Sequence, residues 1–292
     1  MNRIDSLRYA MRGWLLLGAC APAAAASPDA APDAALQLSV APGQAASARV
    51  QPDGGIVVQL PSGRQQRLAG VADADGAAWL SAEDIDFDGS PELVARAQVG
   101  MVNEAVAVYR YDPGQQQLVA LRAITHGNDQ CGNLMGLTVD AGNRLLSSTC
   151  RSGPMWYVDQ YRFDGARLYL YRAERMLMVG DALEAFVLVR QTAESGPLAV
   201  WSTFDVAGKV VETAIADGLV APRGRAPLLA VSGQVVPARL PLYAKPGDTT
   251  TRRYLLQDDR VELLDEADGW IKVRYNNPRR GAVLGWVNVH GR

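Results

Sequence analysis

Ten residues, Asp84-Ile85-Asp86-Phe87-Asp88-Gly89-Ser90-Pro91-Glu92-Leu93, hold the densest run of chemistry-bearing side chains in the chain. Three aspartates alternate, a glycine follows the third, and a carboxylate stands four residues beyond that third aspartate. Ca²⁺ is a hard cation that takes roughly six to eight oxygens at about 2.3–2.6 Å. Alternate side chains of one short loop can converge on it, and a glycine permits the sharp turn. The expected ligands are the side chains of Asp84, Asp86, Asp88 and Glu92, with the backbone carbonyl of Ser90. An EF-hand would require a bidentate glutamate at its twelfth position, where this chain has Ala95, and Pro91 forbids a helix through the loop. The competing reading is an ordinary acidic surface turn.

The N-terminus carries an export signal. Arg3, Arg8 and Arg12 precede a short apolar stretch, Trp14 to Ala19, and an alanine-rich run ends at Ala26-Ser27. That stretch is too short to span a bilayer. Leu17-Gly18-Ala19-Cys20 resembles a bacterial lipobox, which implies acylation of Cys20 and an outer-membrane anchor; cleavage at Ala26-Ser27 is the alternative. There are three cysteines, and an odd count in an exported protein leaves one thiol to explain. Acylation of Cys20 would leave Cys131 and Cys150 to pair in the oxidising periplasm. Between those two lies a hairpin pattern: apolar Leu134 to Val139, the turn residues Asp140 to Asn143, and the return Arg144 to Thr149. Zinc would need further ligands, and the only histidines are His126 and His290.

The elements that must position these groups read as strands. With 292 residues, 48% of them hydrophobic, the chain can bury one sizeable core and a small second one. A net charge of −2 gives no basic footprint for nucleic acid. Short apolar runs separated by Gly, Pro and Asp recur from about residue 36 to 215, among them Gly55 to Leu60, Glu92 to Val99 and Ala105 to Tyr111. Trp156 to Phe163 and Ala166 to Tyr171 flank the Asp164-Gly165 turn, and Leu198 to Phe204 continues the series. The expected architecture is all-β: a propeller-like or β-sandwich domain with a calcium loop, followed by a small SH3-like barrel. The expected organisation is a signal at 1–26, a linker at 27–35, the first β domain at 36–220, a linker at 221–231 and the last domain at 232–292. That last segment, with Asp268-Gly269-Trp270-Ile271 and a terminal Gly285-Trp286-Val287, resembles a bacterial SH3 domain. The resemblance implies either peptidoglycan binding or bracing of a neighbouring domain, with Trp270 and Trp286 as ligand platform or as core.

The loop Asp84 to Leu93 resembles the DxDxDG calcium loop of FG-GAP or VCBS β repeats. With Val108-Tyr109-Arg110-Tyr111-Asp112-Pro113, Cys150-Arg151-Ser152-Gly153-Pro154-Met155-Trp156-Tyr157 and Tyr161-Arg162-Phe163-Asp164-Gly165, it resembles a family of periplasmic FG-GAP-like lipoproteins. Members serve as immunity proteins against lysozyme-like effectors of a bacterial-killing type IV secretion system. The resemblance spans roughly residues 75–175. It implies an inhibitory loop of Arg151, Ser152, Gly153, Trp156 and Tyr157 that plugs the hydrolase's cleft, with the tyrosine one place later than in the simple SGxxY form. A lysozyme cleft holds one protonated and one ionised carboxyl. The Ser152 and Tyr157 hydroxyls could donate hydrogen bonds to them, and Arg151 could pair with the ionised one. The bland alternative is a Ser-Gly-Pro turn with Trp156 or Tyr157 packed in the sheet. A calcium-stabilised wall- or glycan-binding lipoprotein is the rival function. Catalysis is not expected, because neither histidine sits in a nucleophile–base pattern and the clustered carboxylates read as calcium ligands.

Overall fold

The computed structural model of the chain describes residues 35–71, 74–76, 78–132, 134–191 and 194–289. The expected export signal, Cys20, almost all of the 27–35 spacer and His290 lie outside the described residues. The protein is all-β: twenty-two strands and a single 3₁₀ turn, Gly180–Ala185, make up the regular structure of the described residues.

Three sheets, antiparallel but for one strand of the third, follow one another along the chain. The first is the meander β1 (Leu36–Ala41), β2 (Gln44–Val50), β3 (Ile56–Gln59) and β4 (Gln65–Leu68). The second is the meander β5 (Trp79–Glu83), β6 (Glu92–Val99), β7 (Asn103–Asp112) and β8 (Gln117–Ala120). The third contains β9 (Ala123–Ile124), β10 (Thr138–Asp140), β11 (Leu145–Ser152), β12 (Met155–Asp164) and β13 (Arg167–Met176). The chain then leaves it for β14 (Val187–Val189) and returns as β15 (Leu198–Phe204) and β16 (Val210–Asp217). Its order is β10-β11-β12-β13-β15-β16, with β9 pairing parallel to β13. The Asp164-Gly165 turn lies where the sequence puts it, joining β12 to β13 through the facing pair Asp164 and Arg167.

The second sheet is a middle layer. Leu93, Ala95, Tyr109 and Leu118 share a core with Leu38, Ile56 and Val58 of the first sheet. Val94, Val106 and Val108 share another with Leu146, Leu168 and Leu170 of the third. Burial on both faces removes the alternation a half-exposed strand would show, so β6 opens on four consecutive buried residues.

The last strands are β17 (Ser232–Val235), β18 (Arg239–Pro241), β19 (Tyr254–Leu256), β20 (Arg260–Ala267), β21 (Trp270–Asn277) and β22 (Gly281–Asn288). They form a sheet ordered β14-β17-β20-β21-β22 and a separate β18-β19 pair. Among the described residues no sheet closes on itself. The expected SH3-like segment is an open arrangement, its second sheet edge met by Tyr243, whose backbone exchanges hydrogen bonds of 2.8 and 2.9 Å with Trp286. Because β14 pairs with β17, a strand from within 36–220 completes the sheet of 232–292. Leu183, Val187, Val200 and Ile215 accordingly share one core with Val235, Leu263, Ile271 and Val287. Arg175 on β13 reinforces the junction by donating to Asp265 at 2.9 Å and Glu266 at 2.8 Å. The 221–231 stretch runs across the outer face of the third sheet, where Ala221, Leu228 and Ala230 pack on Trp201 and Ala214. Buried Arg172 ties it down by donating to the carbonyls of Gly224 and Ala226 at 3.4 and 2.5 Å.

Candidate functional site

Two adjacent strands of the third sheet, β11 and β12, meet in a tight turn at the proposed inhibitory loop. Ser152 faces Met155 across the ladder, which leaves Gly153 and Pro154 as the two turn residues. Gly153 has φ +58°, in the left-handed region, whereas the pyrrolidine ring holds Pro154 at negative φ. That combination is the type II′ turn, whose twist matches a right-twisted hairpin. Arg151, Ser152, Gly153 and Pro154 are all exposed, and Trp156 is 41% exposed.

Strand register sorts the side chains. Cys150 faces Tyr157, Arg151 faces Trp156, and Ser152 faces Met155. Successive residues of a strand alternate faces, so Ser152 and Tyr157 share one face of the hairpin while Arg151 and Trp156 share the other. The tip is held from below. Asn103 accepts from the Arg151 amide at 2.8 Å and donates to its carbonyl at 3.0 Å. The Arg151 side chain reaches over the turn, its Nε donating to the Gly153 carbonyl at 3.1 Å. Cys131 and Cys150 form a disulfide with Cα atoms 5.6 Å apart, directly beside the Tyr157 position.

Two buried carboxyls complete the base, and sequence inspection alone does not single them out. Asp159 accepts from the Gln130 amide at 2.9 Å and the Cys131 amide at 2.9 Å, which fixes the loop carrying the first cysteine. Burial pushes its pKa up to about 6, although those amides act in the opposite direction. Glu174 on β13 accepts from the Val158 amide at 3.0 Å. Burial first, then the charges of Asp159 and Asp217, pushes Glu174 up to about 8. It lies beneath a shallow groove bordered by Trp156, Met176, Leu198 and Leu219. The hint in the sequence is an acid inside a strand whose neighbours are buried, but a solvated strand face would read the same.

The calcium loop sits between β5 and β6. One carboxylate oxygen from each of Asp84, Asp86 and Asp88 comes within 4.8 Å of the others. That span fits ligands about 2.4 Å from a common centre. Backbone geometry builds the trio: Phe87 at φ +64° and Gly89 at φ +90° curl the chain. Asp84 then accepts from the Asp88 and Gly89 amides, both at 3.1 Å. Ser90 donates its amide to Asp88 at 2.7 Å. Arg110 Nη1 lies 3.3 Å from Asp86, one positive charge against three carboxylates, so the cluster still favours a cation. Glu92 is not brought into this group. Its buried carboxylate turns under the loop and takes the Ile85 amide at 2.7 Å and the Asp86 amide at 3.3 Å, so it braces the backbone that presents the aspartates.

The comparisons with known proteins are negative: no protein-family model matches the chain, and no curated protein matches it.

Proposed function

We propose that the protein is a periplasmic inhibitor, an immunity protein that blocks a lysozyme-like peptidoglycan hydrolase by inserting the 151–157 hairpin tip into its catalytic cleft. The observation that carries this reading is an exposed tip on a rigid stem: a type II′ turn flanked by Arg151, Ser152, Trp156 and Tyr157, anchored by the disulfide and by Asn103. Fixing a loop in advance reduces the entropy lost on binding, which is how a small protrusion achieves affinity. Ser152 and Tyr157, on one face, supply hydroxyl donors to the protonated and ionised carboxyls of the cleft. Arg151 and Trp156, on the other, contact the opposite wall, and Trp and Arg are residue types that concentrate binding energy at interfaces.

In this reading the protein acts by occupying the cleft, without turnover of its own. Asp84, Asp86 and Asp88, with the Ser90 carbonyl, hold Ca²⁺ as structural support for the middle sheet, and Glu92 braces the loop from beneath. The exported protein is anchored to the outer membrane through Cys20. The C-terminal strands share a core with the third sheet, which favours bracing of the hairpin's platform over an independent peptidoglycan-binding role. The test is hydrolysis of peptidoglycan by a lysozyme-like effector in the presence of the wild type and of Ser152→Ala/Tyr157→Ala. Inhibition by the wild type and at least tenfold weaker inhibition by a folded variant is expected. Equal inhibition by both would remove the hairpin from the mechanism, and none by either would shift the reading to a wall-binding lipoprotein.

A further inference from the structure

The groove beside the hairpin holds one acid and almost nothing else that is polar. Trp156, Met176 and Leu219, all exposed, form its walls, and buried Glu174 is the only charged residue among those that line it. Register sets Glu174 opposite Trp201 and Met176 opposite Ala199, so the acid and the methionine share one face of β13.

The Glu174 carboxyl is engaged on one side only. Its Oε1 accepts from the Val158 amide at 3.0 Å, whereas Oε2 accepts from no described residue. Gly218 lines the groove, and a Cβ placed on it would lie 3.3 Å from Oε2, so the missing side chain leaves that oxygen open. The neighbouring acids are already occupied. Asp217 accepts from the Gly196 amide at 2.9 Å and the Leu219 amide at 2.8 Å. Asp159 is taken up by the amides of Gln130 and Cys131. After burial, the charges of these two acids push the Glu174 carboxyl further up, and no basic side chain opposes them.

A desolvated acceptor with two more carboxylates nearby is the complement of a cation. Size selects which cation. The groove holds about 20 Å³, little more than the roughly 10–15 Å³ that one water-sized group fills. A compact ammonium fits there, and a planar guanidinium with three nitrogens does not. The Trp156 ring attracts cations, and Met176 and Leu219 suit the methylene stem that carries one.

We propose that this groove receives a lysine side chain of the hydrolase, its stem against Trp156, Met176 and Leu219 and its ammonium on Glu174 Oε2. The source of the lysine rests on the inhibitor reading, because Trp156 belongs to both the hairpin and the groove; the chemistry of the groove does not. An ionised Glu174 is the form that binds, so a proton leaves the carboxyl as the ammonium arrives and affinity rises with pH up to about 8.

The experiment has two arms. In the first, the ¹⁵N-labelled protein is titrated at pH 8.5 with n-butylammonium, n-butanol and n-propylguanidinium and followed by NMR. Saturable binding of butylammonium is expected, with shifts concentrated on amides of 155–158, 174–176, 198–199 and 217–219. Butanol, propylguanidinium and Glu174→Gln with butylammonium should each bind at least tenfold more weakly, and so should the wild type with butylammonium at pH 6.5. No saturable binding of butylammonium up to about 100 mM would overturn the proposal, and so would equal binding of butanol or by Glu174→Gln. The butanol comparison uses the wild type, so it stands even if the variant fails to fold. The second arm measures inhibition of the lysozyme-like effector at pH 8.5 by the wild type and Glu174→Gln. About tenfold weaker inhibition by the variant is expected. Equal inhibition by both would overturn the groove contact and leave the hairpin reading intact. Butylammonium binding without inhibition by either protein would instead overturn the hydrolase as the source of the lysine.

Discussion

Replacing Glu174 with glutamine should change how the stability of the protein depends on pH. Glu174 is 3% exposed and its pKa is pushed to about 8, chiefly by burial. In the unfolded chain a glutamate titrates near 4.3. A carboxyl with its folded pKa raised in this way stabilises the fold fully below about pH 4.3, and that contribution drains away as pH rises towards 8. Across that window one proton is held in the folded state and not in the unfolded state, so each pH unit costs about 1.4 kcal/mol. Between about pH 5 and 7.5 the wild type should therefore lose on the order of 3 kcal/mol that Glu174→Gln does not lose. Glutamine stays neutral and its Oε1 can still accept from the Val158 amide. The assay is urea unfolding of both proteins at half-unit pH steps. Curves that approach each other near pH 5 and diverge by about 1.4 kcal/mol per unit above it are expected. A difference independent of pH would mean that Glu174 ionises normally in the fold and would refute the reasoning.

Three further perturbations bear on the platform and the metal loop. Cys131→Ala/Cys150→Ala opens a bond between residues 19 apart and should lower stability by about 3 kcal/mol, read from chemical denaturation. Asp86→Ala removes one of the three converging carboxylates. Calcium should raise the Tm of the wild type and not that of the variant, whereas a wild-type Tm unaffected by EDTA would remove the metal from the loop. Gly70→Ala would set a Cβ 1.9 Å from the Gly54 carbonyl oxygen, so the backbone must shift and a loss above about 2 kcal/mol is expected; calorimetry showing no change would contradict that close approach.

Much of the fold is legible because turn chemistry and strand alternation are local. Leu198–Phe204 and the Asp164-Gly165 hairpin are found where the sequence puts them. The alternating aspartates converge because two left-handed backbone positions, one of them at Gly89, follow from the same ten residues. Partner choice between distant strands is not local. Nothing in Val187-Leu188-Val189 states that it will pair with Ser232–Val235, since a short apolar run fits either core equally well. Glu92 has the right spacing for a ligand, but spacing does not say which way a side chain turns, and burial beneath Ile85 decides it. Asp159 and Glu174 acquire their properties only from neighbours brought by other elements.

The most direct measurement is steady-state kinetics of a lysozyme-like effector on a soluble glycan oligomer at increasing concentrations of the protein. A hairpin tip seated in the catalytic cleft competes with substrate, so the apparent KM should rise with inhibitor while kcat stays constant. A fall in kcat at unchanged KM would place the contact outside the cleft and contradict insertion of Ser152 and Tyr157.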